Sequence, residues 1–147
     1  MKKEEKSKYV YNIFQTISQT YDKGNNRISL GLQKYWKNIL IEKLKTETQK
    51  RGSIVDICCG TGDIAINSAK LRNDLQITGV DFSPAMLVEA KNKSKSLSNI
   101  TWLCADALSL PISNETYSAA CISFGLRNTS DLSLIHISEP TRRVVIS

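Results

Sequence analysis

The run Ile54-Val55-Asp56-Ile57-Cys58-Cys59-Gly60-Thr61-Gly62-Asp63 constrains what this chain can fold into more than any other stretch. A short apolar run ends in a carboxylate, turns through two glycines and enters a helical pattern, which describes a strand feeding a ligand-binding loop at a helix N-terminus. Further on, Gly79-Val80-Asp81 closes a second apolar run with another acid. The hydrophobic period alternates from there: strand 53–58, helix 62–72, strand 75–80, helix 84–95, strand 99–104 and strand 117–123. Ser83 before Pro84 is a helix start signal, a capping hydroxyl followed by a residue already set for the first turn. Alternating β and α units with short loops predict an α/β fold, a Rossmann-like doubly wound, mainly parallel sheet. Upstream, Val10, Ile13, Phe14, Ile17 and Tyr21 recur at helical spacing and predict a helix over 7–21. After a polar break, a second helix is expected over 30–44. These two helices read as an N-terminal helical cap, residues 1–50, over the cleft of a core at 51–131.

Charge bears on which nucleotide such a cleft takes. Gly60-x-Gly62-x-x-Ala65 satisfies the dinucleotide fingerprint in form, and Asp81 stands where a ribose-binding acid belongs. A nucleotide-binding oxidoreductase, or a binding module without catalysis, therefore stays open. Against it, Asp56 closes the strand and Asp63 follows the second glycine, and carboxylates beside a pyrophosphate oppose the attraction of the helix dipole. S-adenosyl-L-methionine has no phosphate, and its sulfonium and ammonium suit an acidic loop. Glycines at 60 and 62 would let the backbone approach its methionine part, where a Cβ would intrude. Asp81 can accept both ribose hydroxyls in charge-assisted bonds. At the end of the third strand, Asp106 can accept the adenine amino group while the Ala107 N–H meets a ring nitrogen; a plain turn cap is the other reading of that pair.

Several segments together carry a family resemblance. They are Tyr21-Asp22, Ser29-Leu30-Gly31-Leu32 with Trp36, Cys-Gly-Thr-Gly-Asp-Ile-Ala at 59–65, Gly-Val-Asp-Phe-Ser at 79–83 with Met86-Leu87, and Ser-Phe-Gly-Leu-Arg-Asn at 123–128. Over about residues 10–131 the chain resembles the ubiquinone/menaquinone biosynthesis C-methyltransferases. The glycine loop and the ribose acid are shared with methyltransferases at large; the first and last segments are more restricted to this family. It departs from the family pattern at Gly24-Asn25, where Met-Asn is common; Cys58 replaces the first glycine of the wider methyltransferase loop, where small residues also fit this family. The resemblance implies methyl transfer from S-adenosyl-L-methionine to a ring carbon of a polyprenyl quinol, demethylmenaquinol or a ubiquinone precursor. Position by position it implies cofactor contacts at Thr61, Asp81, Asp106, Ala107 and Ser123, alongside Asp56, Gly60 and Gly62 from the loop itself. Carbon methylation needs an electron-rich ring, best supplied as a phenolate, so Arg127 is the candidate for holding that anion. Tyr21 and Asp22 are candidates for closing the pocket.

Composition narrows the setting. No apolar run is long enough to cross a bilayer, and the charged N-terminus Met-Lys-Lys-Glu-Glu-Lys lacks a following signal core, so a cytoplasmic protein is expected. The formal net charge of +6 is mixed along the sequence. It fits a solvated basic exterior or peripheral contact with an anionic membrane surface at its inner face, where a polyprenyl substrate resides. Nucleic acid is not an expected partner. Cys58, Cys59, Cys104 and Cys121 lack paired spacing and read as reduced core residues, with no metal. Residues 132–147, with Leu132 to Arg142 resembling a translated sequencing adapter, are expected to be a non-native tail outside the fold. On that reading the sheet is incomplete at its C-terminal side, and the chain as it stands is expected to be inactive, the activity belonging to an intact parent.

Overall fold

The computed structural model describes residues 3–20, 23–24, 32–111, 117–123 and 144–146. Helix α1 (Lys3–Ile17) and helix α2 (Leu32–Glu47) precede strand β1 (Ser53–Ile57). Helix α3 (Asp63–Leu71), strand β2 (Gln76–Asp81), helix α4 (Pro84–Lys93) and strand β3 (Ile100–Cys104) then alternate, before strands β4 (Ala119–Ile122) and β5 (Val144–Ile146). All strands run parallel, in the order β3-β2-β1-β4-β5. The order reverses between β1 and β4, and in open α/β sheets ligands bind at the carboxyl ends of the strands beside such a reversal.

The central strands are buried on both faces, as βαβ crossovers require. On one face Ile54, Ile77, Ala119 and Cys121 pack against Leu40, Ile41 and Leu44 of α2 and Ile64, Ala65 and Ala69 of α3. On the other, Val55, Ile57, Val80, Ala120 and Ile122 are covered by Leu103, Ala105, Ala107, Leu110 and Tyr117. Helix α2 thus shares the main core with β1. Helix α1 instead meets the end of β2, with Tyr11 and Phe14 against the Phe82 ring at centroid distances of 5.9 and 6.0 Å. Away from the strand carboxyl ends, the Arg72 guanidinium grips Asp74 at 2.6 and 2.7 Å and donates to the carbonyls of Lys45, Thr48 and Gln49, tying the ends of α2 and α3 together.

Three expectations need correction. Helix α1 begins and ends four residues earlier than the apolar spacing indicated, because the Lys-Glu-Glu-Lys stretch forms helix without contributing an apolar face. Residues 144–146 do enter the fold, pairing with β4 as Ala120↔Val144, Cys121↔Val145 and Ile122↔Ile146. A β-branched Val-Val-Ile run suits the unpaired edge that β4 would otherwise present. Cys104 is exposed rather than in the core, since β3 is an edge strand, while Cys121 is buried and Cys58 and Cys59 are half-buried; all four are free thiols.

Candidate cofactor-binding site

Strand β1 stops at Ile57 because the chain then turns through the left-handed region three times in five residues, at Cys58 (φ 57°), Gly60 (φ 56°) and Gly62 (φ 83°). Cys58 lacks the freedom of glycine, so its backbone is strained, a condition that clusters at functional loops. The Gly62 N–H donates to the Cys59 carbonyl at 2.9 Å and the Cys59 N–H to the Val80 carbonyl at 3.0 Å, closing the elbow onto β2. A Cβ on Gly60 would meet nothing within 4 Å, leaving open space for a ligand. Gly62 is different. Its added Cβ would lie 2.3 Å from the Trp102 indole, as would one on Gly79, so both glycines make room for that ring rather than for a ligand.

The four strand ends then supply polar groups. Asp81, 6% exposed, accepts from the Gly60 N–H at 2.8 Å with one carboxylate oxygen and from the Ser83 N–H at 2.9 Å with the other. Burial pushes its pKa up and these N–H donors pull it back. Each oxygen keeps a further lone pair for a hydroxyl. Asp56, 1% exposed, accepts from the Cys121 thiol at 3.5 Å, and its Oδ2 has no protein partner. Burial pushes its pKa up to about 7. Ser123, directly after β4, is likewise buried with an unpartnered hydroxyl. Beyond β3, Asp106 is exposed and caps a turn, accepting from the Leu108 N–H at 2.9 Å, while Ala107 is partly buried. That is the turn-cap geometry, and it leaves the second carboxylate oxygen of Asp106 outside the cap bond.

The expected acidic lining needs correction at Asp63. Lys37 from α2 and Lys93 from α4 approach its two carboxylate oxygens at 2.8 and 2.7 Å, and Lys93 also donates to Thr61 at 3.0 Å. Burial raises the Asp63 pKa, but the two ammonium groups outweigh it and hold it below the usual carboxylate range. Paired with two lysines, Asp63 is no argument against a phosphate. A different observation is. The N–H groups of Gly60 and Gly62, which would cradle a pyrophosphate in a dinucleotide loop, are already committed to Asp81 and Cys59.

Asp56, Gly60, Thr61, Gly62, Asp81, Asp106, Ala107 and Ser123 all stand at the carboxyl ends of β1 to β4. Tyr21, Asp22 and Arg127 lie outside the described residues. Sequence reasoning missed Lys37, Lys93 and Trp102. For Lys37 a signal existed: with Gln33, Leu40, Ile41 and Leu44 it falls on one helical face, so it was the lone charge on a core-facing stripe. Among the described residues there is no cluster of side chains that could hold a metal.

Comparison with known proteins follows the same lines. The family model described as the ubiE/COQ5 methyltransferase family matches residues 1–145. A demethylmenaquinone methyltransferase of Staphylococcus epidermidis is 40% identical over 128 residues, 86% of this chain and 52% of that protein. One from Staphylococcus aureus is 36% identical over 134 residues, 90% of this chain and 54% of its own length. The chain thus spans about half the length of these curated relatives. Among solved structures, Haemonchus contortus phosphoethanolamine N-methyltransferase 1, crystallised with phosphoethanolamine and S-adenosylhomocysteine, superposes with a TM-score of 0.73 at 18% identity. The match covers 93% of this chain and 29% of that one. At that identity the likeness speaks for the fold alone.

Proposed function

This chain belongs to the ubiE/COQ5 methyltransferase family, and from that premise we propose that its strand-end site binds S-adenosyl-L-methionine. We propose further that the full-length parent methylates a ring carbon of a polyprenyl quinol, demethylmenaquinol or a ubiquinone precursor. The observation that carries the cofactor assignment is Asp81, fixed between the Gly60 and Ser83 N–H groups beside the elbow, with a lone pair left on each oxygen for the two ribose hydroxyls. The fit extends to the reversal point of the sheet. There Asp56 Oδ2 and Ser123 Oγ are buried without partners, at the ends of adjacent strands, and a buried polar atom without a partner costs about 1–3 kcal/mol until something satisfies it.

When bound, S-adenosyl-L-methionine supplies an electrophilic methyl group on a sulfonium. The residues of this chain bind and orient it: Asp81 holds the ribose, Gly60 leaves room for close approach, and Thr61 forms the loop wall. Asp106 and Ala107 read the adenine edge through a carboxylate oxygen and an N–H. On the acceptor side, Arg127 holds the phenolate that makes the ring carbon nucleophilic, acting by charge because a guanidinium stays protonated. Tyr21 and Asp22 close the pocket and exclude water, so that alignment of donor and acceptor supplies much of the rate. A substrate with a polyprenyl tail resides in a bilayer. The reading therefore includes peripheral contact with a membrane, proposed at its inner, cytoplasmic face. Among the described residues no helix is long and apolar enough to cross a bilayer.

The test is methyl incorporation. Labelled S-adenosyl-L-methionine and a short-chain demethylmenaquinol are given to the full-length parent, and Asp81→Ala is expected to lower turnover at subsaturating cofactor by at least tenfold. Equal turnover by the variant, or no transfer to any demethylated quinol, would contradict the assignment. Tighter binding of NADH than of S-adenosyl-L-methionine would select the oxidoreductase reading instead.

A further inference from the structure

Helix α2 carries two apolar lines. One faces the core through Leu40, Ile41 and Leu44. The other, about a third of a turn away, runs through Leu32, Tyr35, Trp36 and Ile39, spaced i, i+3, i+4 and i+7 and 62%, 60%, 53% and 43% exposed. The Tyr35 and Trp36 rings meet edge to face at a centroid distance of 5.7 Å. Single exposed apolar residues are ordinary, but a row of four with two large rings marks an interaction surface. Lys43, also exposed, is next on the same line.

The C-terminal end of this helix borders a groove of about 490 Å³, lined by Lys45, Lys50, Arg51, Arg72 and Asp74 among others. Arg72 is committed there to Asp74 and to backbone carbonyls, and Lys45 lies 3.4 Å from Glu42. Lys50 and Arg51 have no acidic side-chain partner among the described residues, so two cations remain in excess. Exposed rings along a helix and unmatched cations at its end suit the headgroup region of an anionic bilayer, where the rings sit at the apolar boundary and the cations meet lipid phosphates. We propose that α2 docks this protein on an anionic membrane, with Leu32, Tyr35, Trp36 and Ile39 entering the interface and Lys50 and Arg51 receiving lipid phosphates. This inference rests on the polyprenyl-quinol reading and names the surface that serves it. The placement suits such a substrate. One residue beyond Trp36, Lys37 reaches Asp63 at 2.8 Å beside the glycine loop, so the apolar end of the docked helix adjoins the cofactor site.

Vesicle co-sedimentation of the full-length parent separates a lipid surface from a protein covering. The vesicles are phosphatidylcholine, with and without about a third phosphatidylglycerol, at low and high salt. The parent is expected to bind the anionic vesicles about tenfold or more tightly than the neutral ones, and high salt to abolish the difference. Lys50→Gln with Arg51→Gln should remove most of that preference, while Tyr35→Gln with Ile39→Gln should weaken binding to both vesicles by about tenfold or more. Brominated lipid should quench the emission that Trp36→Phe removes. Both double variants should methylate a water-soluble short-chain demethylmenaquinol at the wild-type rate. Absence of binding to anionic vesicles, binding that either pair of substitutions leaves unchanged, or an unquenched Trp36 overturns the proposal. So does a Tyr35→Gln, Ile39→Gln protein that loses its fold, because another part of the parent then covers the row. Methyl transfer without vesicle binding refutes the docking alone. Vesicle binding by a parent that methylates no demethylated quinol refutes the underlying function reading instead, a distinct result.

Discussion

At Asp56 a carboxyl group is enclosed on the α2–α3 side of β1, with its pKa pushed up to about 7, chiefly by burial and against the pull of the Cys121 thiol and the Ala65 N–H. The folded state therefore binds more protons than the unfolded one between about pH 4 and 7. Stability falls as pH rises through that window and levels off above it. Asp81, also raised by burial, adds to the same slope. Asp63, whose pKa is lowered, acts the other way: its contribution is present above the ordinary carboxylate pKa and is lost as pH falls below it. Urea unfolding should accordingly find Asp56→Asn more stabilising at pH 8 than at pH 5, by up to a few kcal/mol, since each tenfold change in a protonation equilibrium is worth about 1.4 kcal/mol. An equal effect at both pH values would refute the raised pKa. At this scale the sequence was informative where chemistry is local. Asp56, Gly60 and Asp81 stood out because a strand end, a glycine turn and an acid are adjacent in the chain. Lys37 was marked only by its place on the core-facing stripe of α2; its partner lies 26 positions away, and nothing in spacing announces that ion pair.

Among the elements, Trp102 joins parts that the sequence left separate. Its ring, on β3, fills the space above Gly62 and Gly79, and its Nε1 donates to Ser94 at the end of α4 at 3.0 Å. Gly79→Ala should therefore destabilise by about 1–3 kcal/mol through overpacking against the indole. Trp102→Phe in the same protein should recover part of that, read from denaturant midpoints. A Gly79→Ala protein as stable as wild type would show that the ring yields freely. Helix α1 offers a second check. Its link to β2 is the pair of ring contacts on Phe82, each worth about 0.5–1.5 kcal/mol. Phe82→Ala should speed amide exchange in α1 by roughly tenfold or more while leaving β1 protected; unchanged exchange would locate α1's anchoring elsewhere. The order and type of the elements were readable because their hydrophobic period changes cleanly at each loop. Their ends were not, since Lys3 to Lys6 extend α1 by propensity alone and Cys58 ends β1 by a backbone turn that no side-chain pattern marks.

On the scale of the whole molecule, parallel strands in the order β3-β2-β1-β4-β5 bring four carboxyl ends to one rim, and each of β1 to β4 delivers a candidate cofactor group there. The fold class was legible, because alternating βα units with right-handed crossovers permit few other sheets. The incorporation of Val144–Ile146 was not, because a short β-branched run finds its place only once β4 presents an open edge. The case for a sulfonium cofactor rests on committed loop N–H groups, an Asp81 fixed by the Gly60 and Ser83 N–H groups, and the unpartnered Asp56 and Ser123 oxygens at the reversal of the sheet. These features are read by the same experiment, competitive titration of the full-length parent with S-adenosyl-L-methionine and NADH, with and without Asp81→Ala. The account predicts saturable binding of S-adenosyl-L-methionine that NADH does not displace and that Asp81→Ala weakens by at least tenfold. Displacement by NADH at comparable concentration, or an Asp81→Ala protein that binds as well as wild type, would contradict it.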